Sequence, residues 1–372
     1  MSVSESLRDG RRVVRAAAEV TWRAYAEEWK LRRDVLQALR PGLPMVQWFF
    51  TKACNFRCSY CNVPGSAKDD LSLEERLDGL DTIAELFHPK VLSISGGEPT
   101  IKYQELGPFI ERARRHGMIV GMNTNGTNLD NERIRGLRDS GLLYLSFSHD
   151  GVPPKDDDSV FEKATYASCV GILSAIQPVL STANWHLRHE LMERTHNACA
   201  LLNPSIVNDI GGEYSSTNLH APPVDEVRAF YAALLRENMF NVKPFPRFLK
   251  FMSESYGDGW LCSKFNWLTV DHDGTLKHCN EFSSEFTIAD LKDPERRKAF
   301  QEYRQKSRDS CSGCYYECYH TSDAGTLGIL GSTEYFKLES LGRRALIYRK
   351  LGILLEAVEK YYPPRDELEK VQ

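Results

Sequence analysis

The chain has 372 residues, a hydrophobic fraction of 42% and a formal net charge of −4. That length suits one α/β barrel of about 250 residues plus a smaller appended unit. No stretch offers the roughly 18 uninterrupted apolar residues of a membrane span, so membrane contact is at most peripheral. The slightly negative balance argues against gripping a phosphate backbone, and no nucleic-acid partner is expected.

Residues 1 to 40 read as helix, with Val13, Val14, Ala17, Val20, Ala24, Trp29 and Leu31 near helical spacing, and Pro41-Gly42 stops the pattern. A strand follows at 45 to 50, and strands and helices then alternate: strand 91 to 95, helix 103 to 116, strand 118 to 123, a helix from 130, strand 142 to 148, helix 159 to 175 and strand 177 to 183. Such alternation argues for parallel βα units. A sixth strand is expected at 205 to 210, a hairpin turns at His272-Asp273-Gly274, and 333 to 361 is helical.

The amino terminus, MSVSESLRDGRRVVRAAAEV, lacks the apolar core of a secretory signal, which points to the cytoplasm. In a reducing compartment ten cysteines are better read as metal ligands or small buried hydrophobes than as disulfide partners. Cys54, Cys58 and Cys61 form C-x3-C-x2-C directly after the first strand. Three thiolates in one short loop suit a cubane cluster with one iron left open. Structural zinc is the alternative, but it takes four protein ligands and no fourth cysteine or histidine lies nearby in sequence.

The run resembles the signature of the radical S-adenosylmethionine (SAM) superfamily, C-x3-C-x-aromatic-C, with Tyr60 in the aromatic place. Ser95-Gly96-Gly97-Glu98-Pro99 is similar to the family's GGEP segment, which holds the SAM amino group. Glycines allow close backbone approach and Glu98 is an acceptor for an ammonium. Thr124-Asn125-Gly126 resembles the family's TNG, and Ser148-His149-Asp150-Gly151 its S-x-D-G. Asn184, expected at the end of the fifth strand, falls where the family places a polar SAM contact. The resemblance covers about 45 to 320 and implies an α/β fold, a partial (βα)6 TIM-like barrel of the radical SAM type. In it a 4Fe-4S cluster passes an electron to SAM, giving methionine and a 5′-deoxyadenosyl radical. One departure is that Pro154-Lys155-Asp156-Asp157-Asp158-Ser159 stands where relatives carry an arginine for SAM, leaving Lys155, Arg188 and His189 as candidates.

Cys262 and Cys279 bracket C-x11-G-x4-C, and Cys311, Cys314 and Cys318 follow in CSGCYYEC. This resembles a SPASM or twitch module, in which a hairpin with glycine at its turn joins two cysteines. Full SPASM modules carry seven cysteines; five imply a twitch-like module with one auxiliary 4Fe-4S cluster. Which of Cys311, Cys314 and Cys318 bind is open, and four-cysteine zinc is the alternative. The expected division is a helical segment at 1 to 44, the barrel at 45 to 256, the twitch-like module at 257 to 325 and flanking carboxyl-terminal helices at 326 to 372.

Cys169 and Cys199 have no partners in sequence and read as buried hydrophobes. His186, His189 and His196 cluster after the fifth strand and read first as packed or solvated groups. The resemblance implies a radical SAM enzyme served by a flavodoxin- or ferredoxin-type reductant. The leading reading is hydrogen abstraction from a small-molecule or lipid-like substrate, in an oxidation or rearrangement. Maturation of a ribosomally made peptide is the alternative. Leader-binding domains combine strands with a winged helix, and residues 1 to 44 are too short and too helical for one. A non-catalytic iron-sulfur scaffold would not need the SAM-contacting segments.

Overall fold

The structure, a computed structural model, describes residues 45–61, 63, 65–89, 91–198, 200–207, 221–236, 246–258, 267–279 and 282–311. The predicted terminal helices and residues Cys199, Cys262, Cys314 and Cys318 lie outside the described residues.

Strands and helices alternate as the sequence pattern predicts. They run β1 (Met45–Phe49), α1 (Leu73–Phe87), β2 (Val91–Ser95), α2 (Tyr103–Arg115), β3 (Ile119–Thr124), α3 (Asn131–Asp139), β4 (Tyr144–Ser148), α4 (Ser159–Cys169) and β5 (Leu173–Gln177). After β5 come β6 (Val179–Leu180), α5 (Arg188–Asn197), β7 (Leu201–Leu202), β8 (Ser205–Ile206), α6 (Val224–Arg236) and α7 (Pro246–Ser255). A hairpin of β9 (Trp267–Val270) and β10 (Leu276–Lys277) precedes α8 (Pro294–Asp309). Local signals set the boundaries. Ser72 and Glu75 form a capping box at the start of α1, and the Asp130 carboxylate accepts from Arg133 N at the start of α3.

Eight strands form one sheet in the order β10-β9-β1-β2-β3-β4-β5-β7, parallel throughout except for β10. Its two edges are not joined among the described residues, so the barrel is partial. Side chains alternate across it. Val46, Trp48, Leu92, Ile94, Val120 and Met122 enter the core beneath the helices, where Trp48 meets Phe109 of α2 edge to face at 5.1 Å. Each such side chain contributes about 1.5–3 kcal/mol by burial. The opposite, inner face carries Gln47, Ser93, Ser95, Asn123, Ser146 and Thr269, which is polar for a sheet interior.

Three expectations change. The helix predicted over 159 to 175 ends at Cys169, and β5 starts at Leu173 rather than 177. Cys169-Val170-Gly171-Ile172 is apolar enough to extend a helical pattern, but Gly171 at φ 92° turns the chain. The strand at 177 to 183 is reduced to β6, and that at 205 to 210 is described only as β8; these two pair with each other, while β7 supplies the strand beside β5. Among the described residues no helix is long and apolar enough to cross a membrane.

Candidate active site

The cysteine loop leaves β1 at the carboxyl edge of the sheet, the edge at which α/β barrels place their chemistry. Its entry is fixed first. Thr51 Oγ1 donates to Asp70 Oδ2 (2.5 Å) and accepts from Ala53 N (3.0 Å), while fully buried Arg76 donates to Phe50 O (2.8 Å) and pairs with Glu105. Gly97 N then donates to Thr51 O and Glu98 N to Ala53 O, both at 2.7 Å, so the Gly96-Gly97-Glu98 segment lies directly against the loop backbone. A Cβ on Gly97 would stand 2.1 Å from Ala53 O, and Gly96 has φ 134°. Only glycine permits this approach.

Glu98 is 1% exposed, and its carboxylate ties two strand ends together. Oε1 accepts from Thr100 N (3.1 Å), Thr100 Oγ1 (2.5 Å) and Thr124 Oγ1 (2.6 Å), while Oε2 accepts from Asn125 N (2.7 Å). Oε2 therefore keeps acceptor capacity. The Asn125 side chain donates to Asn55 Oδ1 (2.8 Å), and Asn55 donates to Thr127 Oγ1 (2.8 Å), clamping one side of the loop to the end of β3.

The other side is clamped to the end of β4. Tyr60 Oη donates to Asp150 Oδ2 (2.5 Å) and accepts from Lys155 Nζ (2.7 Å). Burial, and next the Asp150 charge, hold the Tyr60 phenol well above its ordinary pKa, so it remains a donor. Asp150 Oδ1 accepts from Val179 N (2.8 Å), and buried Asn184 donates to Asp150 O and Val179 O, both at 2.9 Å. Asn184 thus lies beyond β6 rather than at the end of the fifth strand, and it braces the residue that holds Tyr60. Ser148 ends β4 opposite Gln177 and is partly exposed.

Cys54, Cys58 and Cys61 are all partly exposed, and their thiol pKa values are raised, first by burial. Each thiol also feels another of the three, and Lys155 lowers all of them. A positive centre would relieve both burial and mutual repulsion, because metal binding draws the protons off.

Asn55, Asp150 and Lys155 hold the cysteine loop through hydrogen bonds that a motif reading underweights. Asn55 is signalled by its place inside the cysteine run and Asp150 as the acid of S-x-D-G, while Lys155 enters the sequence reading as a candidate SAM contact rather than as a partner of Tyr60. Arg188, by contrast, donates to Trp185 O (2.7 Å) and lies over the Trp185 ring at 4.6 Å, and the His189 ring meets Phe230.

Of the second cysteine set, Cys279 and Cys311 are described. Cys279 follows β10 towards the amino edge of the sheet, since Lys277 lies opposite Thr269 and the strands run antiparallel. α8 lies alongside: Tyr303 Oη donates to Ser283 O (2.8 Å), and Arg304 donates to Trp267 O (2.6 Å). Cys311 N donates to Arg308 O (3.1 Å), and the Arg308 charge acts on His278 beside Cys279.

A family model of the radical SAM superfamily matches residues 48–171. The chain carries a radical SAM domain. Radical SAM proteins use a 4Fe-4S cluster and SAM, and the three-thiol loop of this radical SAM domain fits such a cluster: its thiols are mutually repelling, only partly exposed and beside a lysine. Fe-coproporphyrin III synthase of Methanosarcina barkeri is 36% identical over 133 residues, 34% of this chain and 32% of that protein. PqqA peptide cyclase of Rhizobium meliloti is 32% identical over 115 residues, 30% of each. The chain thus spans about a third of the length of the curated relatives it matches. The structure of Streptococcus suis SuiB bound to precursor peptide SuiA aligns with TM-score 0.54 and 13% identity over 81% of this chain and 72% of that one, a likeness of fold.

His149, in the S-x-D-G segment of the radical SAM domain, is 1% exposed, and neither ring nitrogen has a hydrogen-bond partner among the described residues. It packs edge to face on Phe161 at 4.9 Å. Burial, then the Arg194 charge, lower its pKa, so the folded protein resists a proton that the unfolded chain takes up near pH 6.5. Stability is therefore expected to fall as pH drops below about 6.5, by at most about 1.4 kcal/mol per pH unit for this one group. Urea unfolding at pH 7.5 and 5.5 checks it: the loss should be smaller in His149→Phe, and equal losses would refute the assignment.

Proposed function

We propose that this chain is a SAM-dependent radical enzyme acting on a peptide, with Cys54, Cys58 and Cys61 as the ligands of the SAM-cleaving cluster. The observation that carries the reading is the double clamp of the cysteine loop, to Asn125 on one side and to Asp150 through Tyr60 on the other. When bound, the cluster and SAM supply one-electron cleavage and hydrogen abstraction, which no side chain can perform. The protein's part is position and charge. Glu98 presents Oε2 to the SAM ammonium at the carboxyl edge, Gly96 and Gly97 seat the cysteine loop against that edge, and Thr124, Asn125 and Ser148 line it. Lys155 favours the thiolate form of all three cysteines, and Asn184 holds Asp150 in place behind Tyr60.

A peptide substrate takes precedence over the small-molecule expectation because the solved structure that aligns over 81% of this chain has a precursor peptide bound. PqqA peptide cyclase adds support from sequence. The small-molecule reading stands second, on the 36% identity to Fe-coproporphyrin III synthase. The test is 5′-deoxyadenosine formation by the anaerobically reconstituted, dithionite-reduced protein, with short peptides encoded beside its gene or with iron coproporphyrin. Stimulation by a peptide is expected; stimulation by the porphyrin alone would overturn the peptide assignment.

Cys262, Cys279 and two or three of Cys311, Cys314 and Cys318 complete the proposal as ligands of an auxiliary 4Fe-4S cluster in a twitch-like module spanning 257 to 325. A flavodoxin- or ferredoxin-type donor and a cytoplasmic setting belong to the same reading. Cys262→Ala with Cys279→Ala should remove about half the iron while slow SAM cleavage persists, because the first cluster and the SAM contacts of this reading belong to the barrel. One 4Fe-4S cluster with stoichiometric zinc in the parent protein would identify a structural metal instead.

A further inference from the structure

Gln47 is the one polar residue of β1, in the sequence MVQWF, and it is 9% exposed. Its side-chain oxygen has no hydrogen-bond partner among the described residues. An unpaired buried carbonyl oxygen works against folding, and an apolar side chain at this place would avoid the penalty. Alternation along β1 sends Val46 and Trp48 to the core under the helices and Gln47 to the inner face.

The ladders fix what surrounds it. Thr269 of β9 and Ser93 of β2 flank Gln47 in register, Gly121 follows Ser93, and Tyr144 follows Gly121 in the same row. A Cβ on Gly121 would lie 3.2 Å from Tyr144 Cδ1, so the aromatic ring rests on bare β3 backbone. The row is a polar floor with an aromatic flank. Nearby charges are already matched: Asp271 accepts from Lys277 Nζ (2.8 Å) and lies 2.9 Å from His272 Nδ1. Gln47 Oε1 therefore offers a neutral hydrogen-bond donor a waiting acceptor. Gln47 stands four residues before Thr51, about 13 Å along the strand from the cysteine loop. It therefore lies towards the amino end of the sheet, away from the cysteine loop.

We propose that Gln47 is a substrate-binding residue whose carboxamide oxygen, beside the Ser93 hydroxyl, receives the N–H of a peptide amide. The assignment rests on the peptide reading above. Two apolar variants, Gln47→Leu and Gln47→Met, test it in the reconstituted protein. Thermal unfolding should be unchanged or raised by roughly 2–4 °C, since an unpaired acceptor has been removed. A lowered midpoint in both variants marks a structural glutamine and overturns the proposal. Binding is read by saturation-transfer NMR with N-methylacetamide as the amide probe and acetate as the charged control, SAM being present. The amide signal should appear in the parent and vanish in both variants. No signal in the parent, an amide signal unchanged in the variants, or an acetate signal that depends on Gln47 each refutes it. SAM cleavage by the parent is measured in the same preparation. Its absence counts against the radical SAM reading itself, whereas intact cleavage with variants indistinguishable from the parent counts against Gln47 alone.

Discussion

Simultaneous replacement of Cys54, Cys58 and Cys61 by alanine is expected to abolish SAM cleavage under strong reductant and to remove one cluster's iron, while the fold survives. The chain outside the thiols holds the loop: Thr51 and Asp70 at its entry, the Gly97 and Glu98 amides along its backbone, Asn55 and Tyr60 on its flanks. The sulfur atoms themselves take short-range hydrogen bonds from within the loop, Phe56 N to Cys54 Sγ at 3.4 Å, Tyr60 to Cys58 and the Val63 backbone to Cys61. Iron analysis, circular dichroism and 5′-deoxyadenosine assay of the triple variant check the result together. Retained cleavage would end the cluster assignment.

Gly97→Ala should do nearly the same damage by a different route. The new methyl carbon would meet Ala53 O at 2.1 Å, Ala53 C at 2.6 Å and Lys52 O at 2.7 Å, all backbone atoms that no rotamer change can move. The loop must then retreat from β2, losing the two 2.7 Å bonds to Thr51 O and Ala53 O. Overpacking and the lost hydrogen bonds together amount to about 3 kcal/mol. The variant is expected to unfold at lower urea concentration and to hold little iron at the first site. Full iron content with parental stability would show that the close approach is dispensable.

Much of this site was legible in the sequence because its groups lie at the ends of strands that alternate visibly with helices. The cysteine loop, Gly96-Gly97-Glu98, Thr124-Asn125 and Ser148-His149-Asp150 each follow an apolar run that ends where the strand ends. Short-range pattern failed where pairing partners are remote. β9 and β10 read as part of a separate cysteine-bearing module, yet β9 pairs with β1 in parallel, Met45 opposite Trp267. That pairing depends on packing across the whole chain, which no local window carries. Asn184 reads from sequence as a polar SAM contact, whereas its bracing of Asp150 depends on Val179 of β6 lying against the residue that follows β4. Gln47 carries a signal in the sequence: a lone amide inside a continuous apolar strand, at a position where a purely structural role would favour valine or isoleucine.

The junction of β1 with β9 also orders events during synthesis. β2 can pair with β1 soon after both emerge from the ribosome, but the other flank of β1 has no partner until residues 267–270 follow. Contacts this distant in sequence form late. For most of translation the strand that carries the cysteine loop is an open edge, the kind of surface that recruits chaperones or other unfinished chains. Iron delivered before the β9-β10 hairpin docks would meet a loop whose supporting strand is bound on one flank only, so productive loading belongs after β9 has paired with β1.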